Sequence, residues 1–223
     1  MTGIIVRNLP DQLVDLVRDR ILAGKVDPQR AIRQDALAAE LGVSKIPLRE
    51  ALTRLEQEGL VRSRANHGYF VRELTFAEAE EVYALRLKLE PQLAALAAER
   101  ASEAERDAAV RTLSQLDEVT NAHGEGVGAF NRAFHLALLR PSRQPITTTM
   151  LERLHVLGER YVRKHLEPLG RDQRANDEHA LLLESWLSRD AALVTQRMHA
   201  HIEQTILDLR REFEMLDGPA RAS

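Results

Sequence analysis

"GVSKIPLREALTRLEQEGLVRSRANHGYFV", residues 42–71, decides the fold of the front of the chain. Gly42 closes one helical run, Val43-Ser44 turns the chain, and Ser44 can cap the helix that follows. Pro47 falls in the first turn of that helix, where its missing N–H costs little. Leu48, Leu52 and Leu55, spaced i, i+4, i+7, make a buried stripe, and Gly59 ends the helix. Two extended runs come next, Val61–Arg64 and Tyr69–Arg72, joined by the turn-prone Ala65-Asn66-His67-Gly68.

Upstream, "LPDQLVDLVRDRILAG" places Leu9, Leu13, Leu16 and Ile21 near helical spacing before Gly24, and "AIRQDALAAELG" turns Leu37 and Leu41 inward. Helix, helix, tight turn, helix and hairpin is a winged helix-turn-helix, expected over residues 1–73. Lys45, Arg49 and Thr53 share a strip away from the leucine stripe, with Ile46 exposed at the helix start. A helix-turn-helix points that end into the major groove, where a cation reaches guanine or phosphate and an apolar side chain meets a thymine methyl. Arg62 and Arg64 add charge to the hairpin, and Asn66, His67 and Gly68 form a tip suited to the minor groove or backbone phosphates. The competing account is a solvated surface, with Arg49 pairing with Thr53 or Glu56 and Ile46 packed on a neighbouring helix.

The run from Leu37 to Val71 resembles the DNA-binding domain of the GntR family of bacterial transcription regulators, over residues 10–73. Its marks are Leu-Gly-Val-Ser, Pro-x-Arg-Glu-Ala-Leu, Leu-Glu, Glu-Gly-Leu and the Asn-x-Gly of the wing. The resemblance implies that Arg33 or Asp35, Ser44, Lys45, Ile46, Pro47, Arg49 and the tip Asn66, His67 and Gly68 face DNA, with Glu50 structural. Lys45 stands where that family usually has Arg, Ile46 where it has Thr, and Ala65 where the wing has Pro. Lys keeps the charge but loses the bidentate fork, so guanine discrimination there should be weaker.

The bulk numbers agree with a regulator having a local basic patch. The 223 residues are 44% hydrophobic and 29% charged, with no cysteine and a net charge of −3. Residues 1–74 hold 12 Lys/Arg against 10 Asp/Glu, and residues 75–223 hold 19 against 24. This excludes a disulfide scaffold and Cys-based metal sites, and no run approaches the ~18 apolar residues of a membrane span. A cytoplasmic protein with no membrane association is expected.

Residues 74–217 are rich in Ala, Leu, Glu and Arg and predict about six antiparallel helices, making a mainly α chain with a bundle behind the winged head. The helices fall near 75–101, 102–122, 125–139, 145–166, 173–188 and 190–216, and residues 218–223 read as a disordered tail. Seven of the eight histidines lie in this part. Asn131 and His135 share one face, and His179 lies with Leu182, Leu183 and Trp186. In the last helix the wheel leaves His199 and His201 open. Three inward imidazoles and an oxygen would suit a divalent ion, zinc first, with nickel or manganese as alternatives; separately, each is an ordinary core histidine.

The bundle resembles the FCD effector domain of the FadR-like branch, and six helices rather than seven suggest its VanR-type subgroup. In register, the resemblance implies Asn131, His135, His179 and His201 as metal ligands, choosing His201 over His199, with Asn131 replacing an Asp. It also implies that Arg86, beside the Leu85/Leu89/Leu93 stripe, holds a small organic acid effector; the other role for Arg86 is an i,i+4 surface pair with Glu90. Arg160 and Arg163 are weaker candidates, and His123, His155 and His165 receive no role.

The expected protein is a homodimeric, ligand-responsive repressor on a double-stranded, pseudo-palindromic operator, and not an enzyme. Two competitors keep parts of this: a regulator whose signal is the metal ion, and a helical-bundle metalloenzyme. Against the latter, the chain has no His-Glu-x-x-His, no two Glu-x-x-His motifs to supply di-iron ligands and no Gly-rich phosphate loop, and Glu178 is the only carboxylate adjacent to a histidine candidate, expected to point away from the His179 face.

Overall fold

A computed structural model describes residues 9–122, 126–162 and 172–217. The chain divides into two compact units, residues 1–73 and 74–223.

In the first unit α1 (Leu9–Leu22), α2 (Gln34–Glu40) and α3 (Lys45–Gln57) precede the hairpin of β1 (Val61–Arg64) and β2 (Gly68–Val71). The α3 stripe is as spaced: Leu48, Leu52 and Leu55 are completely buried, joined by Ala51 and Leu60. The partner face on α1 is Leu13, Val14, Val17, Ile21 and Leu22. Leu9 and Leu16, expected inward, are instead exposed, because the buried stripe of α1 runs through the two valines. Leu37 and Leu41 are half-buried, and Ala38 is the buried residue of α2. Arg18 clamps α1 to the end of α3, its Nε and Nη2 donating to the two Glu58 oxygens at 2.9 and 2.6 Å.

The hairpin is antiparallel, with Val61 opposite Val71 and Arg64 opposite Gly68. Asn66 sits at φ 62° and Gly68 at φ 88°, the left-handed conformations that Asn and Gly tolerate best. The segment before α2 joins the hairpin edge, Ile32 N donating to the Tyr69 carbonyl at 2.7 Å. Two side-chain ties fix the hairpin to α3: Glu56 accepts from the Ser63 amide at 2.6 Å, and Thr53 Oγ1 meets the Tyr69 hydroxyl at 2.9 Å.

The second unit contains α4 (Phe76–Arg100), α5 (Glu103–Asn121), α6 (Val127–Leu139), a 3-10 turn (Arg140–Ser142), α7 (Pro145–Tyr161), α8 (Asp172–Leu187) and α9 (Ala191–Asp217). The boundaries agree with the sequence to within about two residues, except that 163–166, expected to continue α7, and the tail 218–223 lie outside the described residues. Thr75 caps α4, and Ser102 with Glu105 forms a reciprocal capping box on α5. α4 runs along α9 and also touches α6, α7 and α8. Its Ala94, Ala95, Ala97 and Ala98 are buried, small residues that let neighbouring helices approach. No described helix is long and apolar enough to cross a membrane.

Candidate functional site

In the first unit the expected DNA-facing residues share the N-terminal end of α3 and its surroundings. Arg33, Asp35, Ser44, Lys45, Ile46 and Arg49 are exposed, with Ile46 at 73%, and Pro47 is half-buried. Ile46 therefore does not pack on a neighbouring helix. Ser44 occupies the N-cap position with extended backbone, but its side chain makes no capping bond, so the hydroxyl is not committed to the helix. Lys45 is paired with Asp35 across the turn, both side chains largely exposed. Arg49 pairs with neither alternative through its guanidinium: Thr53 bonds the Arg49 carbonyl at 3.0 Å, and Glu56 is taken by Ser63. Arg62 reaches Glu73 at 3.3 Å, and Arg64 stacks over Phe70 at 4.6 Å. At the hairpin tip Asn66 and His67 are exposed and Gly68 half-buried. Glu50, expected to work structurally, is exposed with no side-chain bond among the described residues.

The second unit places His135 on α6, His179 on α8 and His201 on α9 together. Their ligand atoms lie within 4.8 Å of one another, and all three are buried. His199, the other candidate on α9, is half exposed and 3.8 Å from Glu203. The wheel left the two open; the buried face of α9 runs through Val194, Met198, His201, Ile202 and Leu209.

Charge and proton placement suit a cation here. Burial, then the neighbouring imidazoles and Arg86, pushes His135 and His179 well below the usual histidine range, so both are neutral. His201 Nδ1 lies 2.7 Å from Glu178 Oε2, which fixes the N–H on that nitrogen and turns the Nε2 lone pair toward the cluster. That Nε2 is 3.3 Å from His179 Nε2. Glu178 was expected to point away; the turn of α8 brings it to His201 instead.

Neither ring nitrogen of the fully buried His135 has a hydrogen-bond partner, and His179 Nδ1 also lacks one. Unmet polar atoms in a core cost roughly 1–3 kcal/mol each. Convergent imidazoles with unmet nitrogens and a carboxylate behind one of them are the donor set of a divalent metal site, and they fit that group.

The cluster opens on a cavity with about 80 Å³ of space for the centres of water-sized molecules. Asn131, Arg86, Thr120 and Arg174 line it together with apolar Leu116, Val127 and Ile202. Asn131 is half-buried beside His135 on α6, and Thr120 Oγ1 is buried without a partner. Arg86 combines both of its alternatives: it lines the cavity and pairs with Glu90, but the pair is buried, not a surface one. Burial raises the Glu90 carboxyl, yet Arg86 and then His155 outweigh it and hold it well below the usual range. Leu85 is exposed, so the inward face of α4 passes through Val82, Tyr83, Arg86, Glu90 and Leu93 rather than Leu85/Leu89/Leu93.

His155, left without a role by the sequence, lies buried with its Nε2 3.1 Å from Glu90 Oε1. A signal existed, since it follows the fully buried Leu151 by one helical turn. Arg160, one of the weaker candidates, is buried; Arg163, His123 and His165 lie outside the described residues.

Known proteins fit this two-part arrangement. The FCD domain model matches residues 81–204, and that of the gntR family of bacterial regulatory proteins matches residues 9–71. The chain is 26% identical over 208 residues to the HTH-type transcriptional regulator YdhC of Bacillus subtilis (strain 168), covering 91% of this chain and 92% of that one. It is 28% identical over 196 residues to the HTH-type transcriptional repressor GlaR of Escherichia coli (strain K12), covering 83% and 89%. The fold is that of E. coli McbR/YncC, with a TM-score of 0.81 at 24% identity over 93% of this chain and 100% of that chain. The chain thus belongs to the GntR family of bacterial regulatory proteins, with an FCD domain behind the winged helix, and is a DNA-binding transcriptional regulator.

Proposed function

We propose that this regulator is a cytoplasmic homodimeric repressor that senses a small carboxylate in a metal-containing cavity of its helical unit. The observation that carries the sensing half is His135, buried with two unmet nitrogens among His179 and His201. These three imidazoles, with the Asn131 amide oxygen as a neutral fourth donor, would hold a divalent ion, zinc first and nickel or manganese next. Such an ion, when bound, supplies an open coordination position to an acid. The six α-helices of the described second unit favour the VanR-type subgroup.

The chain's own residues divide the remaining work. Glu178 holds His201 in the ligating tautomer, and Arg86, kept charged and oriented by Glu90, faces the effector carboxylate. Leu116, Val127 and Ile202 exclude water around the effector's carbon skeleton. The head reads a pseudo-palindrome with Lys45, Ile46 and Arg49 in the major groove, Arg33, Asp35, Ser44 and Pro47 at its edge, and Asn66, His67 and Gly68 at the wing. Effector binding, by preferring one arrangement of the helical unit, shifts the population of dimers competent for DNA.

A mobility-shift titration against the DNA upstream of the chain's own coding sequence tests the DNA half. Sequence-selective, salt-sensitive retardation is expected, and none at low salt contradicts it. Chelation separates effector from signal: if removing the ion alone switches DNA affinity, the ion is the signal. If only an added acid acts on the ion-loaded protein, the ion is a cofactor.

A further inference from the structure

We propose that the chain holds a second divalent cation, on Glu90, His135 and His155, with the His135 ring bridging it to the first position. The proposal rests on the preceding reading in one respect, that it shares His135 with His179 and His201. Ligand atoms of Glu90, His135 and His155 also lie within 4.8 Å of one another, all three side chains buried. His135 Nδ1 stands 3.9 Å from Glu90 Oε2. His155 Nε2, 3.1 Å from Glu90 Oε1, makes no hydrogen bond of acceptable geometry.

The His135 ring belongs to both sets of donors. Its centroid is 5.0 Å from that of His155, and 5.2 and 5.3 Å from those of His179 and His201. A neutral imidazole carries one N–H and one lone pair, and a core histidine ordinarily satisfies both. Here both nitrogens are unmet. One ion accounts for one nitrogen, whereas an ion on each side accounts for both.

Two imidazoles and a carboxylate are a donor set that borderline divalent ions accept. Arg86 donates its Nε and one Nη to Glu90, but a carboxylate offers about four lone-pair directions, so acceptor capacity remains. The Arg86 charge disfavours a nearby cation, so the second position fills after the first. When it fills, the N–H bond of His135 breaks, a nitrogen–metal bond forms, and the proton leaves to solvent. Nothing is oxidised or reduced.

The test is a Cu(II) titration of the chelator-stripped, full-length chain, read by bound metal after gel filtration and by electron paramagnetic resonance. Two ions per chain are expected, with signal rising to the first equivalent and falling as the second couples to it through the shared ring. His155→Gln, similar in size and able to keep a polar contact with Glu90, should bind one ion with a full, uncoupled signal. The wild-type signal decides the matter even if that variant misfolds. A single ion in the wild type, kept by His155→Gln and lost by His179→Gln, overturns the second position and leaves the first standing. Two ions without coupling overturn the bridge, and no bound ion overturns both positions.

Discussion

His201 Nδ1 and Glu178 Oε2 lie 2.7 Å apart, joining α9 to α8 behind the face that His201 turns toward His135 and His179. A carboxylate in that place sets the tautomer and raises the basicity of the opposite nitrogen. Glu178→Gln, which keeps the shape but loses the charge, should weaken divalent-ion affinity by about tenfold, toward the lower end for such partners. Competition against a chromophoric chelator measures it. Unchanged affinity would mean that His201 does not ligate.

His201 and His199 make a matched control. His201→Ala should lose the ion held by His135, His179 and His201, whereas His199→Ala, on the half-exposed side of α9, should leave the metal content unchanged within error. Elemental analysis of the two purified variants checks both at once, and loss of metal in the His199 variant would reverse the assignment.

On the head, Lys45 is paired with Asp35 and both are largely exposed. Lys45→Ala should lower operator affinity and reduce the slope of log affinity against log salt by about one. Asp35→Ala frees the ammonium and should raise affinity for non-operator DNA. Anisotropy titrations at several salt concentrations decide, and an unchanged slope in Lys45→Ala would remove that side chain from the phosphate or base contacts.

Glu105 is held down to about 2 by Arg143, the Ser102 amide and the Ser102 hydroxyl, against the opposing effect of burial. Its folded value is below the ordinary glutamate value of about 4.5, so its stabilisation is fully present above about 4.5 and is lost as pH falls through about 2. Glu105→Gln should therefore cost up to about 1 kcal/mol at pH 7, the scale of a well-formed surface pair, and nothing relative to wild type below pH ~2. Urea unfolding across that window checks the sign; a gap that grows on acidification contradicts it.

Much of this was legible in the sequence, for physical reasons that differ by helix. The α3 stripe could be read because Leu48, Leu52 and Leu55 are apolar and completely buried. The inward face of α4 could not, because it buries Arg86 and Glu90, which a pattern of apolar residues assigns to solvent. The two charges neutralise each other within one turn, so burial is tolerable. α1 misled in the opposite way, since Leu9 and Leu16 are apolar but exposed. At the site, His135 and His179 follow from periodicity, but His201 required a register that periodicity leaves open. His155 and the turn of Glu178 toward His201 depend on how separate helices meet, which no single-helix pattern contains.

The most direct measurement is operator affinity of the same protein in three states: ion-loaded, ion-loaded with a small carboxylate from a screened set, and chelator-stripped. One acid is expected to change the dissociation constant at least about tenfold, a coupling of ~1.4 kcal/mol, and only while the ion is retained. The His179→Gln variant should lose the response but still bind the operator. An acid response that survives in the stripped protein or in that variant would contradict metal-dependent sensing, as would an operator affinity that no acid alters.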